Sequence, residues 1–118
     1  MKTHRDLIIW RKSIEFATKI YKVARNFPKD EVYGLNSQLK RSAVSIPSNI
    51  AEGAARDTKK DFIRFLSIAT SSAVELETQL IICKNVDLLG SKTYSELNAE
   101  LLSILKLLHG LKRGVMNN

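Results

Sequence analysis

Apolar side chains recur at alternating spacings of three and four along almost the whole chain. That is the period of a helix burying one side. Leu7, Trp10, Ile14, Ala17, Tyr21 and Ala24 mark a first helix over about 7–26. Asp6 is its expected N-cap, and Phe27-Pro28 its stop, because a residue before proline avoids the helical region. Leu35, Leu39, Ala43, Ile46, Ile50 and Ala54 mark a second helix over about 36–55, with Asn36 as its expected cap. Thr58 and Asp61 approximate a capping box for a third, over 59–85, with Phe62, Leu66, Ala69, Ala73, Leu76, Leu80 and Cys83 on one side. Gly90-Ser91 breaks the pattern. A fourth helix follows over 92–112, carrying Tyr94, Leu97, Leu101, Ile104, Leu105, Leu108 and Leu111. No segment alternates with period two. Short connections make consecutive helices antiparallel. The expected fold is all-α, an up-down-up-down antiparallel four-helix bundle forming one domain over residues 1–118.

Two helices carry more apolar surface than one core needs. The first adds Ile9, Phe16, Ile20, Val23 and Phe27, and the third adds Ile63, Val74 and Ile81. A second stripe marks either a wider core or an interface; self-association is the expectation.

The second helix raises a separate question. Its stretch QLKRSAVSIPSNIAEGAARD carries Pro47 at mid-length and Gly53 near its end. Gln38, Arg41, Ser45, Asn49 and Glu52 form a polar seam beside the apolar one. Pairing across the turn places Arg41 near Ser72, one turn from Glu75. An Arg41–Glu75 ion pair that fixes helix register is therefore expected, the alternative being a ligand site between helices.

Composition narrows the function. With 44% hydrophobic residues in 118, the chain has the make-up of a globular domain rather than a disordered one. No apolar run reaches membrane length, and no signal peptide is apparent at the N-terminus. The lone Cys83 excludes an internal disulfide and points to a reducing cytoplasm. His4 and His109 are far apart in sequence, and no metal-ligand spacing, phosphate-cradling glycine loop or nucleophile elbow is present. Cys83 falls on an apolar helix face and reads as a structural thiol rather than as half of a dyad with His109. No catalytic set, metal site or cofactor is expected.

The net charge of +7 adds a direction. The bundle topology gathers the N-terminus, the turn between the second and third helices, and the C-terminus at one end. Eleven basic residues fall there (Lys2, Arg5, Arg11, Lys12, Arg56, Lys59, Lys60, Arg64, Lys106, Lys112 and Arg113), against the acidic Asp6, Glu52, Asp57 and Asp61. The rest of the chain holds eight of each sign. Solubility alone accounts for such a charge. A phosphate-binding rim built from Arg5, Arg11, Arg56, Lys59, Lys60, Arg64, Lys112 and Arg113 is the functional expectation, with RNA or DNA as partner. No aromatic platform for stacking bases accompanies it, so binding should be backbone-directed and tolerant of sequence.

SQLKRSAVSIPSNIAEG and FIRFLSIATSSAVELETQL, with DLIIW and FPKDEVYGL upstream, resemble the four-helix-bundle family of 23S rRNA intervening-sequence proteins over about residues 6–111. The resemblance implies the bundle fold, homopentameric rings and no known enzymatic activity. Some members are encoded within insertions in ribosomal RNA genes. Relatives are accessory proteins of diversity-generating retroelements that bind a reverse transcriptase and nucleic acid. It also implies that Pro47 kinks the second helix rather than ending it, with the small Ser42, Ala43, Ser45 and Ser48 around the bend. Thr70 with Ser71-Ser72 departs from the Gly-Ser often found there. Two function classes follow: a non-enzymatic, oligomeric nucleic-acid or nucleoprotein binder, and a protein-binding scaffold without nucleic-acid contact.

Overall fold

The computed structural model describes residues 3–31 and 34–118. Lys2, counted with the basic end, and Val32 and Tyr33 of the FPKDEVYGL stretch lie outside them. Among the described residues there are four α-helices and no strand: α1 Ile8–Ala24, α2 Leu35–Ala54, α3 Lys59–Asn85 and α4 Ser91–Met116. Single 3-10 turns precede α1 (His4–Asp6) and α2 (Lys29–Glu31). Sequential helices pack side by side, α4 closes on α1, and the diagonal pairs do not meet. This is the antiparallel four-helix bundle, 45 × 23 × 19 Å. Phe16, Ile20, Leu39, Ile46, Ile50, Leu66, Leu76, Leu80, Leu101 and Leu108 are fully buried at its centre.

On α1 the two stripes exchange roles. Ile9, Phe16, Ile20 and Phe27, expected as surplus, are buried, while Ile14 and Tyr21 of the expected seam are exposed. Burying Phe16 and Ile20 removes more hydrocarbon from water than burying a stripe that includes a tyrosine hydroxyl. Ser13 lies in the middle of the buried stripe and hides it from a periodicity reading. Its hydroxyl donates to the Trp10 carbonyl at 3.0 Å and so enters the core satisfied.

The helix ends also differ from expectation. Asp6 does not cap α1, which is entered through Leu7. Instead its carboxylate accepts from the Thr3 N–H at 3.2 Å, closing the 3-10 turn as a capping box. Asn36 does not cap α2, which begins one residue earlier. It is buried, and its Nδ2–H donates to the Ala24 carbonyl at 2.7 Å. That carbonyl lies at the end of α1 and also accepts from the Phe27 N–H at 3.1 Å, so Asn36 adds a second bond that fastens α2 to the end of α1. Thr58 does cap α3, accepting from the Asp61 N–H at 3.1 Å. At the other end of α3 the chain turns before Gly90. Asp87 adopts φ 64°, the Leu88 N–H donates to the Cys83 carbonyl at 2.8 Å and the Asp87 N–H to the Lys84 carbonyl at 3.1 Å. This is a Schellman stop with aspartate in the glycine position.

Pro47 is buried inside an unbroken α2. Its missing N–H leaves the Ala43 carbonyl without a helical donor. Gly53 has a plain steric role: a Cβ there would lie 2.7 Å from Phe65 Cβ and 3.1 Å from Phe62 Cδ1. Alanine gains up to about 1 kcal/mol in helix propensity, but two packed helices must part to admit it, at a cost of roughly 1–3 kcal/mol. Gly53→Ala is therefore expected to lower stability, read as a fall of several degrees in the thermal midpoint by circular dichroism. Asn36→Leu keeps the volume and removes one of the two hydrogen bonds that the Ala24 carbonyl accepts, the Phe27 N–H remaining at 3.1 Å. Chemical denaturation is expected to show a loss of about 0.5–1.5 kcal/mol, with the slope unchanged.

Candidate functional site

The α2–α3 turn is where four of the eight expected rim residues meet. Close contact at Gly53 seats the nearly buried ring of Phe65 against α2. The chain then turns, with the Arg56 N–H donating to the Gly53 carbonyl at 3.1 Å. This brings the Arg56 guanidinium 4.9 Å from the Phe65 ring centroid, and Arg64, from within α3, lies 4.5 Å from the same centroid. Arg64 Nε is also 3.8 Å from Asp61 Oδ1, an exposed pair one turn apart. Lys60 is exposed, and Lys59 Nζ donates to the Asn118 carbonyl, tying the turn to the far end of the sequence.

The remaining rim residues sit around the same end. The 3-10 turn bearing Arg5 packs against α2. Arg11 is exposed in the first turn of α1, and Arg113 is exposed and Lys112 half-buried in the last turns of α4. Between α1 and α4 an open groove of about 590 Å³ has an apolar floor that includes Leu7, Ile8, Leu107 and Leu111, with Lys106, Arg113 and Asp6 at its edges. The structure thus gathers Arg56, Lys59, Lys60 and Arg64 into one cluster. Arg5, Arg11, Lys112 and Arg113 border it as separate surface cations. Phe65, which organises the cluster, was missed. Its signal was the Arg64-Phe65 pair directly across from a helical glycine.

The polar seam behaves differently from its expected form. Arg41 and Glu75 are both exposed and make no ion pair; Arg41 Nη2–H reaches Ser37 Oγ at 3.4 Å instead. The first turn of α3 projects beyond the end of α2, so residue 53 faces 65 and residue 45 faces 72. That register puts Arg41 opposite about residue 76, close to Glu75 along the axis, but both side chains face solvent and do not meet. The contact that spans the helices is the hydrogen bond between Ser45 Oγ and Ser72 Oγ, 2.7 Å, backed by Asn49 Nδ2 donating to the Ser45 carbonyl at 2.7 Å and to its Oγ at 2.9 Å. Gln38 and Glu52 lie exposed outside this network.

Elsewhere, an exposed ion pair joins Lys19 of α1 to Glu100 of α4. The Glu100 hydrogen bond, with its charge, holds the Lys19 pKa above its ordinary value. Cys83 is fully buried at the opposite end of the bundle from His109. Among the described residues no group of three His, Cys, Asp or Glu side chains is placed to hold a metal ion, and no helix is long and apolar enough to cross a membrane.

The model of the 23S rRNA-intervening sequence protein family matches residues 5–110. The chain belongs to that family. The match contains the whole of α1, α2 and α3, most of α4, and every candidate rim residue except Lys112 and Arg113. A solved structure with the same course of chain is that of a protein of unknown function from the S23 ribosomal protein family of Bacteroides thetaiotaomicron. It is 28% identical, with a TM-score of 0.84, and the alignment covers 90% of this chain and 96% of that one. No curated protein matches the sequence.

Proposed function

We propose that this family member is a non-enzymatic, homo-oligomeric bundle whose basic end binds the phosphate backbone of nucleic acid or of a nucleoprotein. The observation that carries the reading is that, among the described residues, ten basic side chains against four acidic ones lie toward one end, with Arg56, Lys59, Lys60 and Arg64 in one cluster. Two of these residues sit where local physics disfavours them. Lys59 and Lys60 occupy the first turn of α3, the positive end of its dipole, at a cost of about 0.3–1 kcal/mol each. A local rule broken in this way is the expected mark of a site that meets an anion. A reverse transcriptase or another nucleic-acid-binding protein is the nucleoprotein partner that the family resemblance suggests, and a cytoplasmic location follows from the same reading.

Self-association draws on different surfaces. Ile14, Thr18 and Tyr21 of α1 with Val44 and Pro47 of α2 line an open, largely apolar groove of about 400 Å³. Val74, Ile81 and Ile82 of α3 and Leu102 of α4 are exposed elsewhere. Two unlike apolar surfaces suit a head-to-tail contact, and such contacts close into rings. A pentamer is the expected assembly. The second reading, a protein-binding scaffold, draws on the α1–α4 groove, whose apolar floor and cationic edges suit an acidic, apolar segment better than a nucleic acid.

Fluorescence anisotropy with labelled single- and double-stranded RNA and DNA tests the first reading. Affinity is expected to fall about a thousandfold between about 50 and 200 mM salt, with little sequence preference. Replacing Arg56, Lys59 and Lys60 by Ser is expected to weaken binding at least tenfold and flatten the salt dependence, whereas replacing Lys29 and Lys92 at the neutral end leaves it nearly unchanged. No binding at about 50 mM salt, or equal losses in both variants, removes the nucleic-acid reading in favour of the scaffold. For the assembly, light scattering at micromolar concentration should give five times 13.3 kDa. Val44→Glu should reduce that mass while helicity is retained, and a wild-type mass of one chain refutes the ring.

A further inference from the structure

We propose that Phe65 holds Arg56 and Arg64 as a paired guanidinium clamp for the phosphodiester backbone, an inference that rests on the basic end meeting nucleic acid. The clamp makes recognition at this rim depend on arginine geometry and not on charge alone.

Three features lead to it. Phe65 is only 6% exposed, and its Cβ lies against α2, where the missing side chain of Gly53 leaves room for it. It is therefore a fixed platform on an otherwise solvated rim. Two guanidinium groups from different elements converge on that platform, at 4.9 Å from the turn and 4.5 Å from α3. Like charges do not gather without cause, and the π-face supplies one, since planar guanidinium groups stack on aromatic rings. Finally, Asp61 approaches Arg64 at Nε, an edge that leaves the two Nη nitrogens to pair with an anion.

The neighbouring lysines differ in kind. Lys59 is drawn to the Asn118 carbonyl, and Lys60 has no aromatic partner among the described residues. They act as point charges without the planar fork of an arginine. Arg56 and Arg64 are held in place before the ligand arrives, so less side-chain freedom is lost when each fork pairs with phosphate oxygens. The ligand class is the phosphate chain itself. Because nothing in the cluster stacks a base, RNA, DNA and a chain without bases all satisfy it.

The experiment compares three full-length proteins by anisotropy with fluorescein-labelled single-stranded RNA at about 100 mM salt. Arg56→Lys with Arg64→Lys preserves every charge. It is expected to bind about tenfold more weakly, with the slope of log affinity against log salt almost unchanged, because the number of cations is the same. Phe65→Leu also preserves charge and is expected to lose affinity to a similar extent, with circular dichroism confirming the helices. Inorganic polyphosphate should displace RNA from the wild-type protein and do so less well from the lysine variant. If the lysine variant binds RNA as tightly as wild type, the clamp is wrong while the nucleic-acid reading stands. If polyphosphate fails to compete, the rim reads something other than phosphate and the clamp is again wrong. If wild-type protein binds no RNA, both ideas fall together. Should Phe65→Leu prove unfolded, the lysine variant decides alone.

Discussion

At Gly53 the backbone of α2 and the side chains of α3 come so close that a single methyl group would collide with Phe65. The rest of that contact is built from similarly small groups. Ser42 and Ala43 are buried on α2 and Ala69, Ser72 and Ala73 on α3, and the serines at 45 and 72 share a hydrogen bond. Small side chains permit a short interaxial distance, and a short distance lets the buried hydroxyls pair. The α2–α3 contact is the most extensive in the bundle, and the α1–α4 contact is the sparsest. The outer helices are thus laid against a tight central hairpin, α1 fastened by Asn36 at its end and α4 by the tight turn after α3.

That order of dependence explains why much of the fold is readable from spacing. Helical periodicity in α2, α3 and α4 has one dominant stripe per helix, and the breaks at Phe27-Pro28 and Gly90 bracket the elements within a few residues. α1 offers two stripes of nearly equal apolar content, and period alone cannot rank them. The decision rests on burial of Phe16 and Ile20 and on a serine whose hydroxyl bonds within its own helix. Such a bond has no signature in a list of polar and apolar positions. Asn36 is a similar case. An asparagine at a helix start reads as a cap for that helix, and only the tertiary fold reveals that its partner is the carbonyl of the preceding one.

The basic end was legible as a sum of charges, because topology alone decides which loops share an end. Its internal organisation was not. Whether two arginines are merely near each other or share an aromatic platform depends on the helix offset that brings residue 53 opposite 65, and the midpoint of the turn misjudges it by about three residues. The Arg41–Glu75 pair fails for another reason, because both side chains lie on solvent-facing sides of their helices. A register error of one helical turn is harmless to a fold class and decisive for a pair of side chains.

Segregated charge has a further effect that no single contact expresses. The molecule is 45 Å long and about half as wide, and among the described residues ten basic and four acidic side chains lie toward one end. It is an electric dipole laid along its own long axis. At about 0.1 M salt, fields fade over roughly 10 Å, so a polyanion senses the near tip and not the far one. The torque of that field turns the basic tip forward during approach.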